Sequence, residues 1–280
     1  MTALVRSELR KLRTTQVWWI FGLTVLVLTL LAVAVGMAEA NFRLTEPGGA
    51  GPGGAGPGGA PMSRADLYDD VVAGIYTSGQ FFGLMFSLLL GTLLMTNEHQ
   101  HQTASSTFLA TPDRTRVVFA KLITAVLIGV LFWGITTVVD LIAGGIFLST
   151  TDAGVRLTEP AVLQAIGLNL LAYVLWAILG IGLGTVIRSQ IAAVILAIAL
   201  YVLTGVVAQG ILAALAYFLD MRWLMQLGVL LPATASDLMV TGSTQLENMP
   251  PRWVGAFVLV CYGVLAGIAG TVITRRRDIA

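Results

Sequence analysis

The stretch QVWWIFGLTVLVLTLLAVAVGMA, residues 16–38, contains no charged side chain. An α-helix needs about 20 predominantly apolar residues to cross the ~30 Å hydrocarbon core of a bilayer, so this stretch predicts a membrane-spanning helix. A cleaved signal peptide is the alternative, because Ala38-Glu39-Ala40 resembles a cleavage site with small residues. The apolar region of a signal peptide, however, is only about 7–15 residues long. We therefore interpret residues 16–38 as an uncleaved span.

Apolar runs of similar length recur at residues 72–96, 120–148, 161–187, 191–219 and 253–274. Of the 280 residues, 56% are hydrophobic and 11% are charged, whereas an average soluble domain has about 25% charged residues. The sequence thus predicts an all-α polytopic membrane protein with six transmembrane helices. A net charge of +1 provides no excess of basic residues for nucleic acid, so no nucleic-acid partner is expected.

Basic residues are distributed unevenly over the segments between the spans. With the N-terminus inside, eleven lysines and arginines lie on the inner side and five on the outer side. Cytoplasmic loops are enriched in these residues, so both termini are predicted to be cytoplasmic. Residues 1–15 place Val5, Leu9 and Leu12 on one helical face, which predicts an amphipathic helix at the inner membrane surface, ahead of a transmembrane domain over residues 16–280.

Two outer segments are unusual. Residues 46–62 contain PGGAGPGGAGPGGAP, which is too rich in glycine and proline to pack a core and predicts a flexible linker. Residues 223–245 contain two short apolar runs separated by Pro232. Nine helical residues reach only about 14 Å, so neither run crosses a bilayer. We interpret the segment as a short re-entrant helical pair in the outer leaflet, before the last span.

The residue patterns of a catalytic or metal centre are missing from the sequence. No lysine follows a glycine in the way that an ATP-binding P-loop requires. The two histidines, His99 and His101, would face opposite sides of a helix, and only an extended segment would bring them together as metal ligands. We expect no enzymatic activity and no metal or cofactor in this chain. Asp140, an acid within a span, lies about 28 Å along the helix from Lys121, so we interpret it as a residue near the outer headgroups.

The polar segment NEHQHQTASSTFLATPDRTR, residues 97–116, joins the second and third spans. Ala104, Phe108 and Thr111 recur at helical spacing, and Pro112 ends the pattern because the residue before a proline is pushed out of the α region. We therefore predict a short helix along the inner surface, with Phe108 and Leu109 as apolar anchors. Such a helix suits docking into a groove of a cytoplasmic partner.

This segment resembles the first cytoplasmic loop of ABC-2-type transporter permeases. The family pattern is approximately E-x-x-x-G-T, then L-A-T-P-x-x-R, and a lysine that opens the next span. The chain has Glu98, Thr103, Leu109-Ala110-Thr111-Pro112, Arg114 and Lys121, and it departs at Gln100 and Gln102, where the family has a basic residue and glycine. The N-terminal Ser7–Leu12 segment, the six spans and the broken pair before the last span add to the likeness.

The resemblance implies the permease subunit of an ATP-driven exporter in the bacterial cytoplasmic membrane, moving a hydrophobic or amphipathic substrate. It implies a second permease subunit, identical or related, and separate ATP-binding-cassette ATPase subunits that carry the ATP and magnesium. The loop at residues 97–116 would then be the coupling helix. Its implied coupling residues are Glu98, Thr103, Phe108, Leu109, Pro112 and Arg114.

Polar side chains within the spans are candidates for a substrate path. They are Gln80, Asn169, Thr204 and Gln209. The alternative is that these side chains hydrogen-bond between neighbouring helices. An alternative function for the whole chain is a membrane anchor or sensor subunit that docks a cytoplasmic partner without transporting anything.

Overall fold

The computed structural model describes residues 2–14, 17–45, 63–100, 114–187, 189–219, 221, 223–242 and 250–276. Within these ranges the chain is helical and contains no strand. The α-helices are α1 (Thr2–Thr14), α2 (Val17–Thr45), α3 (Arg64–Tyr76), α4 (Gln80–Gln100), α5 (Arg114–Leu148), α6 (Pro160–Val186), α7 (Gln190–Val202), α8 (Ala208–Leu219), α9 (Leu224–Leu227), α10 (Pro232–Thr241) and α11 (Arg252–Arg276). A π-helical turn at Leu203–Val207 joins α7 to α8, and a 3₁₀ turn at Gly228–Leu230 follows α9.

Six helical units are long and apolar enough to cross a membrane, as the sequence predicted. They are Trp18–Thr45, Arg64–Asn97, Thr115–Leu148, Pro160–Val186, Gln190–Leu219 and Arg252–Ile273. The second unit consists of α3 and α4, and the fifth of α7, the π turn and α8. The prediction of an all-helical, six-span protein is confirmed, while the cytoplasmic side of the two termini stays a prediction.

Local sequence signals explain where several helices begin. The Ser63 side chain accepts a hydrogen bond from the Asp66 amide at 3.2 Å, and Asp66 adds negative charge to the first turn of α3. Pro160 and Pro232 stand in the first turns of α6 and α10, where a missing N–H has no cost. Pro232 therefore separates two short helices where the re-entrant pair was predicted, and their depth in a bilayer stays a prediction.

The second span is the core of the bundle. In its most apolar window 78% of the residues are buried, against 17% in the first, fifth and sixth spans, whose exposed apolar side chains suit contact with lipid. Helices α4 and α6 approach closely through glycines. A Cβ on Gly91 would clash with the Ala177 carbonyl, and one on Gly180 would clash with the Leu88 carbonyl.

The bundle has two polar ends. At the first, which we name the loop end, Lys121 contacts Glu8 and the Leu94 carbonyl, so α1, the last turns of α4 and the first turns of α5 meet. The second, which we name the cavity end, contains the junction of α3 with α4, and helix α10. The predicted linker at residues 46–62 lies outside the described residues.

Candidate functional site

The second span is interrupted at the cavity end. Helix α3 ends at Tyr76 and α4 begins at Gln80, with a turn at residues 77–79 between them. The sequence predicted an uninterrupted helix over residues 72–96. Two helix ends inside a span leave backbone N–H and C=O groups without helical partners, and in a membrane these groups must be satisfied by protein. Side chains of α2, α5, α6 and α7 lie around this turn and the start of α4.

Asp140 of α5 holds the turn. Its Oδ2 accepts the Gly79 backbone N–H at 3.2 Å, and its Oδ1 accepts the Ser78 hydroxyl at 3.2 Å. The side chain is fully buried, and the N-terminus of α4 adds a favourable dipole for its negative charge. Our interpretation of Asp140 from its position alone missed this role, because the partners lie in a different span.

Two tyrosines complete the junction. Tyr173 of α6 donates its hydroxyl to the Gly79 carbonyl at 3.3 Å and also contacts the Thr136 hydroxyl at 2.8 Å. Tyr201 of α7 donates to the Phe81 carbonyl at 2.7 Å. The interruption is therefore a built joint that ties the second span to the third, fourth and fifth.

A cavity of about 560 Å³ opens beside this joint. Its walls come from the first turn of α4, the π turn of the fifth span, and α10. Polar lining side chains include Gln80, Gln209, Thr234, Asp237 and Thr241, and apolar ones include Phe81, Val206 and Val229. Ligand pockets in proteins typically measure about 300–1,000 Å³. π turns are frequent at functional sites because they widen the helix locally, so this cavity has the size and setting of a binding site.

The structure brings together two of the four residues predicted for a substrate path. Gln80 and Gln209 both line the cavity, and the Gln209 amide donates to the Thr234 hydroxyl at 2.6 Å. Thr204 instead donates to the Leu200 carbonyl of its own helix at 2.7 Å. Asn169 is fully buried in α6, away from the cavity lining, and its amide has no hydrogen-bond partner among the described residues.

Asp237 is a cavity residue that the sequence reasoning missed. A usable signal existed, because an acid in a segment expected to enter the membrane is by default a functional candidate. The turn at residues 77–79 also had a signal, since Thr-Ser-Gly within an apolar run combines residues that favour turns. Neither signal identifies a partner, and the partners determine what these residues do.

A second cavity of about 440 Å³ lies on the other side of the joint, against α2. It shares Gly74, Ser78, Phe81 and Thr241 with the first cavity. An ion pair between Arg43 and Asp70, with an N–O distance of 2.7 Å, lies in its wall. The two cavities therefore adjoin each other at the joint, and the second is lined by the paired carboxylate of Asp70 and by Glu39.

The predicted coupling residues belong to the loop end. Thr103, Phe108, Leu109 and Pro112 lie outside the described residues, and Glu98 and Arg114 lie in α4 and α5 with side chains that the structure does not describe. What the structure does describe is the base of the loop. Helix α4 extends to Gln100 and α5 begins at Arg114, so two long helices lead directly into the predicted coupling segment.

An ion pair fixes the base of this loop. The Lys121 Nζ lies 3.0 Å from Glu8 Oε2 and donates to the Leu94 carbonyl at 3.1 Å, and both charged side chains are buried. Lys11 also contacts Glu8, at 2.7 Å. A buried charge that loses its partner costs about 3–5 kcal/mol, so the amphipathic helix α1 is firmly attached to α5.

Six apolar spans, one of them interrupted beside a polar cavity, are features of a multi-pass membrane transport protein. The family described as "ABC-2 family transporter protein" matches residues 4–205. The chain belongs to this family of membrane permeases, whose membrane subunits generally work with an ATP-binding subunit. The match extends from α1 into the π turn, so Gln209 and Asp237 follow the matched range. No protein of curated function matches the sequence.

Proposed function

We propose that this chain is the permease subunit of an ATP-driven ABC-2-type exporter, which moves a hydrophobic or amphipathic substrate across the bacterial cytoplasmic membrane. The observation that supports this proposal is the cavity beside the interrupted second span, in a chain of the ABC-2 family. ATP and magnesium bind to a separate ATPase subunit, and a second permease subunit completes the transporter. This chain performs no chemistry and binds no cofactor of its own.

The lining of the cavity suits a molecule with two kinds of surface. The Phe81 ring and the Val206 and Val229 side chains offer apolar contacts. The Gln80 and Gln209 amides offer hydrogen-bond donors and acceptors on the same cavity. The wall thus combines polar and apolar side chains, and this combination favours an amphipathic ligand over a purely apolar one.

Helix α5 connects the ATPase side to the cavity. It runs without interruption from Arg114, at the coupling loop, to Leu148, and it contains Asp140. Arg114 and Asp140 are 26 residues apart, which corresponds to about 39 Å along a helix. A displacement of the loop by the ATPase would therefore move the carboxylate that holds the joint at residues 77–79. This rigid connection supports a mechanism in which ATP-driven movement changes access to the cavity.

The test is co-expression with a candidate ATPase subunit, co-purification, and reconstitution in proteoliposomes. Phe108→Ala removes the predicted apolar anchor and Glu98→Gln the predicted charge. Central contacts in an interface often contribute about 2 kcal/mol, so Phe108→Ala is expected to weaken ATPase binding by roughly 30-fold. The readouts are the amount of ATPase retained and the ATP-dependent movement of substrate.

Matched controls for the two changes exist elsewhere in the chain. Phe257→Ala truncates an exposed phenylalanine of α11, and Asp152→Asn neutralises an exposed acid in the connection between α5 and α6. Both controls are expected to keep full ATPase binding. Full coupling in both loop variants would contradict the docking role. Stable ATPase binding with no ATP-dependent movement of any tested amphipathic compound would favour the anchor or sensor function.

A further inference from the structure

Charge is distributed asymmetrically around the 560 Å³ cavity. Among the described residues that line it, Asp237 is the one acid, and no lysine or arginine lines it. The remaining polar lining groups are neutral amides and hydroxyls. Tyr201 is engaged, because its hydroxyl donates to the Phe81 carbonyl. The cavity therefore presents one negative charge, several neutral polar groups and an apolar wall.

The Asp237 carboxylate differs from three neighbouring acids, Asp69, Asp70 and Asp140, although the wall of the second cavity contains another exposed acid, Glu39. Asp70 pairs with Arg43 at 2.7 Å, Asp69 pairs with Arg156 at 2.8 Å, and Asp140 accepts two hydrogen bonds. Within the described part of the chain, no side chain or backbone group donates to the Asp237 carboxylate. The residue is exposed to solvent on the cavity wall. Its charge is thus available to a ligand.

The nearby basic residues already have partners. The Arg252 guanidinium donates to the Thr241 carbonyl at 3.1 Å and to the Gln164 side chain at 3.2 Å. Arg43 is held by Asp70. Neither arginine lines the first cavity. Among the described residues of the cavity wall, no cation would therefore compete with a cationic ligand for the carboxylate.

An aromatic ring lines the same cavity. Phe81 is 41% exposed, and its ring packs edge-on against Tyr201 with 5.4 Å between ring centroids. An exposed aromatic face attracts a cation and also buries an apolar body, which a purely polar site does not. Phe81 and Asp237 thus supply two complementary contacts for one kind of molecule.

From this arrangement we infer that the cavity selects amphipathic cations, with Asp237 as the counter-ion and Phe81 as the apolar contact. The inference rests on the proposed function, since it names the substrate class of the same cavity. Lipophilic molecules with an amine, guanidinium or other permanent positive charge are the substrates that it favours. Anionic amphiphiles of the same size are excluded by the charge of Asp237.

Two ions of the same shape and opposite charge test the inference. Tetraphenylphosphonium and tetraphenylborate differ in charge but present the same four phenyl rings. The full-length protein in detergent is equilibrated with each radiolabelled ion, and binding is measured by dialysis. The wild-type protein is expected to bind the phosphonium in preference. Asp237→Asn is expected to weaken phosphonium binding about tenfold and to leave the borate unaffected or bound more tightly, because one charge-assisted contact is lost.

Asp152→Asn is the matched control, since it removes an exposed acid away from the cavity and is expected to change neither affinity. Asp237→Glu restores the charge and is expected to restore phosphonium binding. Equal phosphonium affinity in the wild type and Asp237→Asn overturns the inference. If gel filtration shows that Asp237→Asn disturbs folding, the inference is tested by comparing the binding of the two ions to the wild-type protein. Failure to bind the phosphonium, equal binding of both ions, or a preference for the borate then overturns it.

The assay needs no ATPase, so its result is separable from the proposed function. If the protein bound the phosphonium through Asp237 but showed no ATP-dependent transport, the exporter proposal would be contradicted and the cation-binding inference would be retained. ATP-dependent transport without any preference for cations would contradict the cation-binding inference alone.

Discussion

The two polar ends of the bundle both bury a carboxylate, but they compensate its charge in different ways. At the loop end, Glu8 faces the ammonium of Lys121 at 3.0 Å. At the cavity end, the donors to Asp140 among the described residues are neutral, the Gly79 N–H and the Ser78 hydroxyl. An ion pair that loses one member leaves an unpaired buried charge, whereas a carboxylate held by neutral donors exchanges one donor for another at lower cost. The loop end is therefore a fixed connection, and the joint at residues 77–79 is the adjustable one, although the cavity end also contains the buried ion pair of Arg43 with Asp70.

This difference suits the mechanism proposed for the chain. The fixed connection joins α1 to the base of the predicted coupling loop, where force from an ATPase would enter. The adjustable connection lies beside the cavity, where the path for substrate would change. Small shifts are amplified at elements with two discrete arrangements. An interrupted helix held by a few hydrogen bonds is a candidate for such an element.

The largest expected effect is at the loop end. Lys121→Met removes the buried ammonium, leaves the Leu94 carbonyl without this donor and weakens the compensation of Glu8. We expect the free energy of unfolding to fall by about 3 kcal/mol, near the lower limit for a broken buried pair, because Lys11 still contacts Glu8. Thermal unfolding in detergent, monitored by tryptophan fluorescence, measures the change.

Lys11→Met provides the control for this substitution, since it removes the other ammonium that contacts Glu8 from a side chain 43% exposed. Its effect should stay below about 1 kcal/mol, as for other exposed pairs. Combining Lys121→Met with Glu8→Gln should recover part of the loss, because no unpaired charge then remains. Equal losses for Lys121→Met and Lys11→Met would show that the loop end is not fixed by the buried pair.

A smaller effect is expected at the joint from Gly79→Ala. A Cβ at this position would lie 2.8 Å from Thr29 Cγ2 and 3.0 Å from Thr136 Cβ, so the joint would have to shift. Overpacking of this kind costs about 1–3 kcal/mol. Unfolding measured as above and ATP-dependent transport should both be impaired, since Gly79 also bonds with Asp140.

Thr29→Ser removes the nearest methyl group and should restore part of the stability lost by Gly79→Ala. Gly134→Ala makes the same change in α5 at a position with no neighbouring atom within 4 Å, and it should not destabilise the protein. If Gly134→Ala were as harmful as Gly79→Ala, the close packing of the joint would not explain the loss.

The architecture was predictable from sequence to the extent that it depends on hydropathy. Each span is a long apolar run, and a bilayer of fixed thickness converts run length directly into a membrane-spanning helix. The interruption at residues 77–79 was not predicted, because a turn inside an apolar run changes the hydropathy very little. What stabilises that turn is Asp140, a residue 61 positions away along the chain.

The candidate site shows the same limit. Gln80 and Gln209 were chosen as polar residues inside spans, a property that Thr204 and Asn169 share. The packing of the helices distinguishes these residues, since Gln80 and Gln209 meet at the cavity while Thr204 bonds within its own helix. Side-chain type can be read from the sequence, but convergence of distant spans on one space depends on the three-dimensional arrangement.

The smallest expected effect concerns the bond between the second and fifth spans. Tyr201→Phe removes the hydroxyl that donates to the Phe81 carbonyl at 2.7 Å and keeps the ring, which packs on Trp176 with centroids 4.8 Å apart. The loss of one such hydrogen bond costs about 1 kcal/mol, measured by the same thermal unfolding. Tyr262→Phe is the control, because it removes a comparable hydrogen bond, from the Tyr262 hydroxyl to the Leu230 carbonyl, away from the joint. If the cavity end is adjustable, Tyr201→Phe should change transport more than its small effect on stability suggests, through the position of Phe81. Unchanged transport would show that the fifth span does not control the joint through this bond.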